Sequence, residues 1–275
     1  MKRTYLISIL TLVILTSTGP IGAVMLLGTA QEKNGGDIYE INTDDGTITL
    51  LFDIPDEPEW KLNDSPNGNA FDEDSGRFYF TSFTDPGSPA NSSSGSNLYF
   101  VDLLSSSPTI VYAGLLEGQA SNATFHEDAY WYISHGTNDI QKVTFHENGS
   151  VNLDTFMTTV KHDKPGYLIF GDIAFANDGV LYLTGAVKHQ GTNYKQSISG
   201  VIDVTNGDFI EIGSALYWGQ IAFGDDGWLY GNNGTGDVFR INTASGKTKY
   251  VFTARVFTDL ATYSKGKHQR PNKYQ

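Results

Sequence analysis

Five polar residues stand where this chain has the means to do chemistry: Asn69, Asn122, Asp172, Gln220 and Asp259. Each opens a copy of one recurring motif, so the fold should gather equivalent positions into a ring. Carboxylate and amide oxygens grouped in that way are hard ligands suited to Ca²⁺ or a similar divalent cation. A metal held there would polarise a carbonyl or activate water, which is hydrolase or lactonase chemistry. The same side chains also serve as caps on neighbouring backbone amides or as holders of channel water. Sequence alone leaves both roles open.

A second set is aromatic. Trp60, Tyr167, Tyr194, Tyr217 and Trp218 fall in or beside the long connections of the chain. Exposed rings there would stack on sugars or anchor a peptide; the alternative is that they pack the connections onto the body of the fold. Tyr79, Tyr99, Tyr132, Tyr182 and Tyr230 lie inside apolar strand patterns and read as core.

Other chemistries find no support. The chain has no Cys, which excludes disulfides, thiolate catalysis and Cys-based zinc sites. The six His do not cluster, and His126 and His146 share a Phe-His-Glu context near turns of different strands. Neither a Gly-x-Ser-x-Gly elbow nor a phosphate-binding loop occurs. Asp44-Asp45 and Asp225-Asp226 sit in Asp/Gly turns. Asn63, Asn91, Asn122, Asn148 and Asn233 begin sequons that would accept glycans only in exposed loops of an exported protein.

The elements that must position these residues are short strands. Asp37-Ile-Tyr-Glu-Ile-Asn-Thr-Asp-Asp-Gly46 returns as Asp237-Val-Phe-Arg-Ile-Asn-Thr-Ala-Ser-Gly246. Looser copies begin at Asn97, Asp139 and Ile198, so the steps are 60, 42, 59 and 39 residues. Each copy reads as a hairpin, and Asn206-Gly207 is a strong turn signal. A second motif alternates with the first: Asp172-Ile-Ala-Phe-Ala-Asn-Asp-Gly-Val-Leu-Tyr182, with its twin Gln220-Ile-Ala-Phe-Gly-Asp-Asp-Gly-Trp-Leu-Tyr230. Looser copies start at Asn69 and Asn122, and Asp259-Leu-Ala-Thr begins a fifth.

One unit of about 40 residues and four strands is a propeller blade. The expected fold is all-β, a five-bladed β-propeller of four-stranded antiparallel blades. The outer pair at Asp37 would join the inner strand near Asp259, closing the ring with the two chain ends. That closure leaves the last inner pair one strand short, because Thr262-Tyr263 runs into a basic tail. The two motifs resemble the repeats of NHL-, YVTN- and gluconolactonase-like secreted propellers over nearly all of residues 37–264. The gluconolactonase-like resemblance implies a divalent metal held by Glu, Asn and Asp. This chain departs from that pattern in having no Glu in the ring and five blades rather than six.

The long connections, 53–66, 84–96, 158–167 and 186–197, all leave the second or fourth strand of a blade. They therefore share one face, which marks it as the binding face. At the N-terminus, Lys2 and Arg3 precede an uncharged stretch with an apolar run from Tyr5 to Leu15. This reads as an export signal cut after Gly28-Thr29-Ala30, or as an uncleaved membrane anchor interrupted at Gly19-Pro20. The expected division is 1–30 leader or anchor, 31–264 propeller and 265–275 basic tail. A formal charge of -13 disfavours nucleic acid and anionic membrane as partners. The expectation is a monomeric, extracytoplasmic module that binds a glycan, a peptide or a surface protein, with metal-dependent hydrolase and structural surface module as alternatives.

Overall fold

The computed structural model describes residues 24–32, 35–54, 66–83, 95–162, 167–188, 195–213 and 219–263. These residues form twenty strands in five four-stranded antiparallel sheets, with no helix among them. The first blade joins β1 (Met25–Glu32), β2 (Gly35–Asn42) and β3 (Ile48–Phe52) to the final strand, β20 (Phe257–Tyr263), in the order β20-β1-β2-β3. The second contains β4 (Asn67–Asp72), β5 (Arg77–Phe83), β6 (Ser96–Asp102) and β7 (Ile110–Leu115). The third contains β8 (Ala120–His126), β9 (Ala129–Ser134), β10 (Asp139–Phe145) and β11 (Val151–Thr159). The fourth contains β12 (Tyr167–Phe175), β13 (Leu181–Lys188), β14 (Lys195–Ile202) and β15 (Phe209–Gly213). The fifth contains β16 (Gln220–Phe223), β17 (Leu229–Asn232), β18 (Asp237–Ile241) and β19 (Thr248–Thr253). This is the expected five-bladed propeller.

One boundary moves. The strand that completes the first blade is β1, which pairs from Met25↔Asn42 to Glu32↔Gly35 on one side and from Met25↔Tyr263 to Ala30↔Phe257 on the other. Among the described residues the propeller therefore starts at Val24-Met25, and the division expected before Gln31 falls inside a strand. The reason is packing. Leu26, Leu27 and Ala30 are almost completely buried, and alternate side chains enter two different cores. A run apolar enough to resemble a leader is also what a strand buried on both faces requires.

The core is divided among the five blade junctions. Met25 and Leu27 pack with Phe71, Phe78 and Phe80 between the first and second blades, while Leu26 and Ala30 pack with Tyr230 and Val238 against the fifth. Tyr79, Tyr99, Tyr132 and Tyr230 are buried, as expected of core residues, and Tyr182 is half-buried edge-on against Phe223.

The tight turns of the opposite face are set by Asn and Asp side chains that accept backbone N–H groups two residues on: Asn42 from Asp44, Asp72 from Asp74, Asp178 from Val180 and Asp226 from Trp228. Gly207 shows why glycine is needed where such a turn meets the next blade. Its φ is +81°, and a Cβ there would be driven into the Thr159 carbonyl oxygen. We expect Gly207→Ala to cost more than about 1 kcal/mol, since it combines left-handed strain with a backbone clash. A urea midpoint equal to the parent's would refute this account.

Candidate functional site

The five innermost strands are β20, β4, β8, β12 and β16, and each carries one ring residue. Asn69, Asn122, Asp172 and Asp259 have no solvent exposure, and Gln220 is partly exposed. The propeller thus brings together the five positions picked out in the sequence, around the central channel.

Their hydrogen bonds show what they do. Asp259 Oδ2 accepts the Asn69 N–H of the next blade at 2.5 Å, and its Oδ1 accepts the Leu260 N–H at 2.9 Å. Asp172 repeats the arrangement one junction removed: Oδ2 accepts the Ile221 N–H of the next blade and Oδ1 the Ile173 N–H, both at 2.7 Å. Each carboxylate therefore clasps its own strand to the neighbouring one. Asn122 Oδ1 accepts the Ile133 N–H within its own blade, and Asn69 Nδ2 donates to Thr29 Oγ1 at 2.7 Å.

Asp172 and Asp259 also hydrogen-bond each other, which requires a proton between them. Burial is the main cause that pushes both carboxyls upward. Their mutual repulsion adds to it at Asp172, which titrates well above the ordinary carboxylate range, and Asp259 is pushed up to about 7. The fully buried Tyr130 hydroxyl donates to Gly68 O at 2.7 Å; burial and the nearby Asp259 hold its ionisation well above the usual tyrosine range.

As a divalent-metal centre the ring fits poorly. The oxygens of both carboxylates already accept backbone N–H groups. The remaining buried atoms without a protein partner are two acceptors, Asn69 Oδ1 and Gln220 Oε1, and one donor, Asn122 Nδ2. That mixture matches water better than a metal shell. No group of three His, Cys, Asp or Glu is placed to hold a metal among the described residues.

A second tier of polar residues escaped the sequence reading. Thr29, Thr81 and Thr184, on the second strands of three blades, each donate to a carbonyl of the next blade: Pro66 O, Ala120 O and Gly219 O. In the fifth blade Asn232 takes this role, accepting the Phe257 N–H and donating to Arg255 O. The signal was present: Tyr79-Phe-Thr81, Tyr182-Leu-Thr184, Tyr230-Gly-Asn232 and Tyr132-Ile-Ser134 share one spacing, and Leu27-Gly-Thr29 is its fifth copy.

Trp60, Tyr194, Tyr217 and Trp218 lie outside the described residues, and Tyr167 is described only as the first residue of β12, opposite Lys188. The strand ends that flank 55–65, 84–94, 163–166, 189–194 and 214–218 all open on one face. Of the sequons, Asn122 is buried beyond the reach of a glycan, Asn148 is exposed, and Asn63 and Asn91 lie outside the described residues.

No family model matches the chain, and no curated protein matches it. Solved structures similar to it include a chain of a nidogen/laminin complex, with a TM-score of 0.49 and 12% identity over 88% of this chain and 97% of that one. A putative 6-phosphogluconolactonase from Bacteroides uniformis has a TM-score of 0.44 and 13% identity over 85% of this chain and 68% of that one. A putative gluconolactonase has a TM-score of 0.46 and 12% identity over 82% and 71%. Gluconolactonase-like propellers, the class that the repeats resemble, are thus among the neighbours.

Proposed function

We propose that this propeller is an extracytoplasmic binding module that engages a glycan, a peptide or a surface protein through the face onto which its long connections open. One observation carries the reading. The two longest connections between consecutive strands, 53–66 and 84–95, both leave that face. On the opposite face no connection among the described residues exceeds the seven residues of 103–109, and Asn- and Asp-capped turns close several of the hairpins. Long connections concentrated at one end of a rigid scaffold are the pattern of a recognition surface.

Trp60, Tyr167, Tyr194, Tyr217 and Trp218 are the contact residues in this reading, because flat amphipathic rings supply much binding area at little entropic cost. The ring acids serve closure of the fold, which leaves recognition to the loops. The acidic balance of the chain favours neutral or cationic partners.

The test is glycan and peptide array binding with the full-length chain, followed by Trp60→Ala combined with Trp218→Ala. Affinity should fall about tenfold or more, as expected for two aromatic anchors. Undiminished binding in the double variant would remove these residues from the site. Capture of no glycan and no peptide would remove the reading itself.

A further inference from the structure

Four Asn-Gly pairs lie among the described residues, at Asn67, Asn148, Asn206 and Asn233; a fifth, at Asn34, lies outside them. In such a pair the glycine amide nitrogen can close a five-membered ring on the asparagine side chain, because no Cβ hinders its approach. Three of the four glycine N–H groups are already engaged. Gly68 N–H donates to Asp259, Gly149 N–H to His146 O at 2.8 Å, and Gly207 N–H to Asp203 O at 2.7 Å. Gly234 N–H has no hydrogen-bond partner among the described residues. Gly234 is exposed, and a Cβ there would meet nothing within 4 Å.

The asparagine of this pair is equally distinct. Asn233 Oδ1 accepts two backbone N–H groups, from Thr235 at 3.0 Å and Asp237 at 2.9 Å. The Thr235 hydroxyl lies 2.7 Å from it, sharing its proton with Asp237 Oδ2 at 3.0 Å. Asn148 and Asn206 each accept one backbone N–H, from Ser150 and Asp208, and Asn148 also accepts the Ser150 hydroxyl. Donors on an amide oxygen draw electron density from its carbon, and they hold the negative charge that the oxygen gains when the carbon is attacked. The turn between β17 and β18 thus sets an unengaged nucleophile beside the most strongly polarised side-chain carbonyl of the four.

We infer that Asn233 is a self-modifying site that converts to aspartate and isoaspartate. Gly234 N, once it has lost its proton to hydroxide, bonds to Asn233 Cγ while the donors hold Oδ1. The Cγ–Nδ2 bond then breaks, and the nitrogen leaves as ammonia. Water opens the resulting succinimide at either carbonyl, so asparagine and water become an acid and ammonia with no change of oxidation state. The aspartate product still accepts the Thr235 and Asp237 N–H groups. The isoaspartate product places an extra carbon in the main chain of a turn closed by Gly236 N–H on Asn233 O at 3.0 Å. Asn232, next in the chain, accepts the Phe257 N–H and so links the fifth blade to the first. Conversion therefore adds negative charge to the loop-bearing face and loosens a blade junction as the protein ages.

Incubation of the unglycosylated full-length chain at pH 8, with peptide mapping by mass spectrometry at intervals, tests this. Asn233 should convert about tenfold or more faster than Asn67, Asn148 and Asn206. In denaturing urea the four rates should converge, because the hydrogen bonds that distinguish them are gone. Gly234→Ala, whose methyl group has open space in the fold, should slow conversion at Asn233 about tenfold or more by hindering the attack. Conversion of Asn233 no faster than that of the other three in the folded chain would overturn the proposal. So would an undiminished lead in urea, which would assign the rate to local sequence. Conversion at the parent's rate in Gly234→Ala would overturn it as well.

Discussion

A chain beginning at Gln31 fails to form the closed propeller, whereas one beginning at Val24 forms it. The seven residues that separate them supply most of β1, the strand that lies between β2 and β20 and holds both ends of the chain in one sheet. Without them β20 loses its only partner strand, and the exposed edge of β2 faces an open ring. The apolar loss is large as well. Val24, Met25, Leu26 and Leu27 are each at most 5% exposed. Burial of such a side chain contributes roughly 1.5–3 kcal/mol, so four of them approach the whole stability of a typical domain. Circular dichroism during heating is the measurement. A cooperative transition for the chain beginning at Gln31, at the temperature seen for the longer one, would refute the role given to β1. The same physics bears on export: if a leader is removed, we place the cut ahead of Val24, because cleavage after Ala30 would destroy the blade that closes the ring. N-terminal sequencing of the mature protein reads that position directly.

Asp172→Asn should flatten the dependence of stability on pH. Both ring acids titrate higher in the folded protein than the roughly 4 of an unfolded carboxyl. The folded state therefore binds more protons, and stability is greatest below about pH 4 for these two groups and falls as pH rises. For Asp259 the fall runs from about 4 to about 7. Asparagine at 172 supplies a permanent N–H to Asp259 in place of the shared proton, while its Oδ1 still accepts a backbone amide. Urea unfolding at pH 5 and pH 8 should show the parent weaker at pH 8 and the variant less so, because the Asp172 contribution is gone while burial still raises Asp259. Equal slopes in parent and variant would sink the shared-proton account. Asp259→Ala has a different signature. It strands the Asn69 and Leu260 N–H groups in a fully buried channel, which should cost roughly 2–5 kcal/mol at both pH values.

The five ring positions were legible because each begins a motif whose period repeats around the propeller. What they do there was not legible. A carboxylate in a ring of oxygens looks alike in sequence whether it faces a cation or a backbone amide. The distinction depends on where the next blade's N–H arrives, and Asn69 and Ile221 are respectively 190 and 49 residues away from the acids that hold them. The second polar tier was missed for a simpler reason: its spacing from the motif tyrosine was present but had no visible role until Thr81 met Ala120 O across a blade junction.

The strand β1 shows the division most clearly. Composition alone makes residues 24–30 apolar and small, and that is equally the requirement of a leader, a membrane segment and a strand buried on both faces. Local sequence carries no term that separates the three. What separates them is the vacant place between Asp37 and Asp259 in the first blade, which exists only once five sheets have closed into a ring. The amino-acid sequence by itself determined the repeated strands and turns, the number of blades and the sharing of one blade by both chain ends, because these follow from periodicity and turn chemistry within about 40 residues. Tertiary structure decided the strand that completes the closure and the clasping role of the ring acids, because both depend on partners that are brought into contact only when the ring closes.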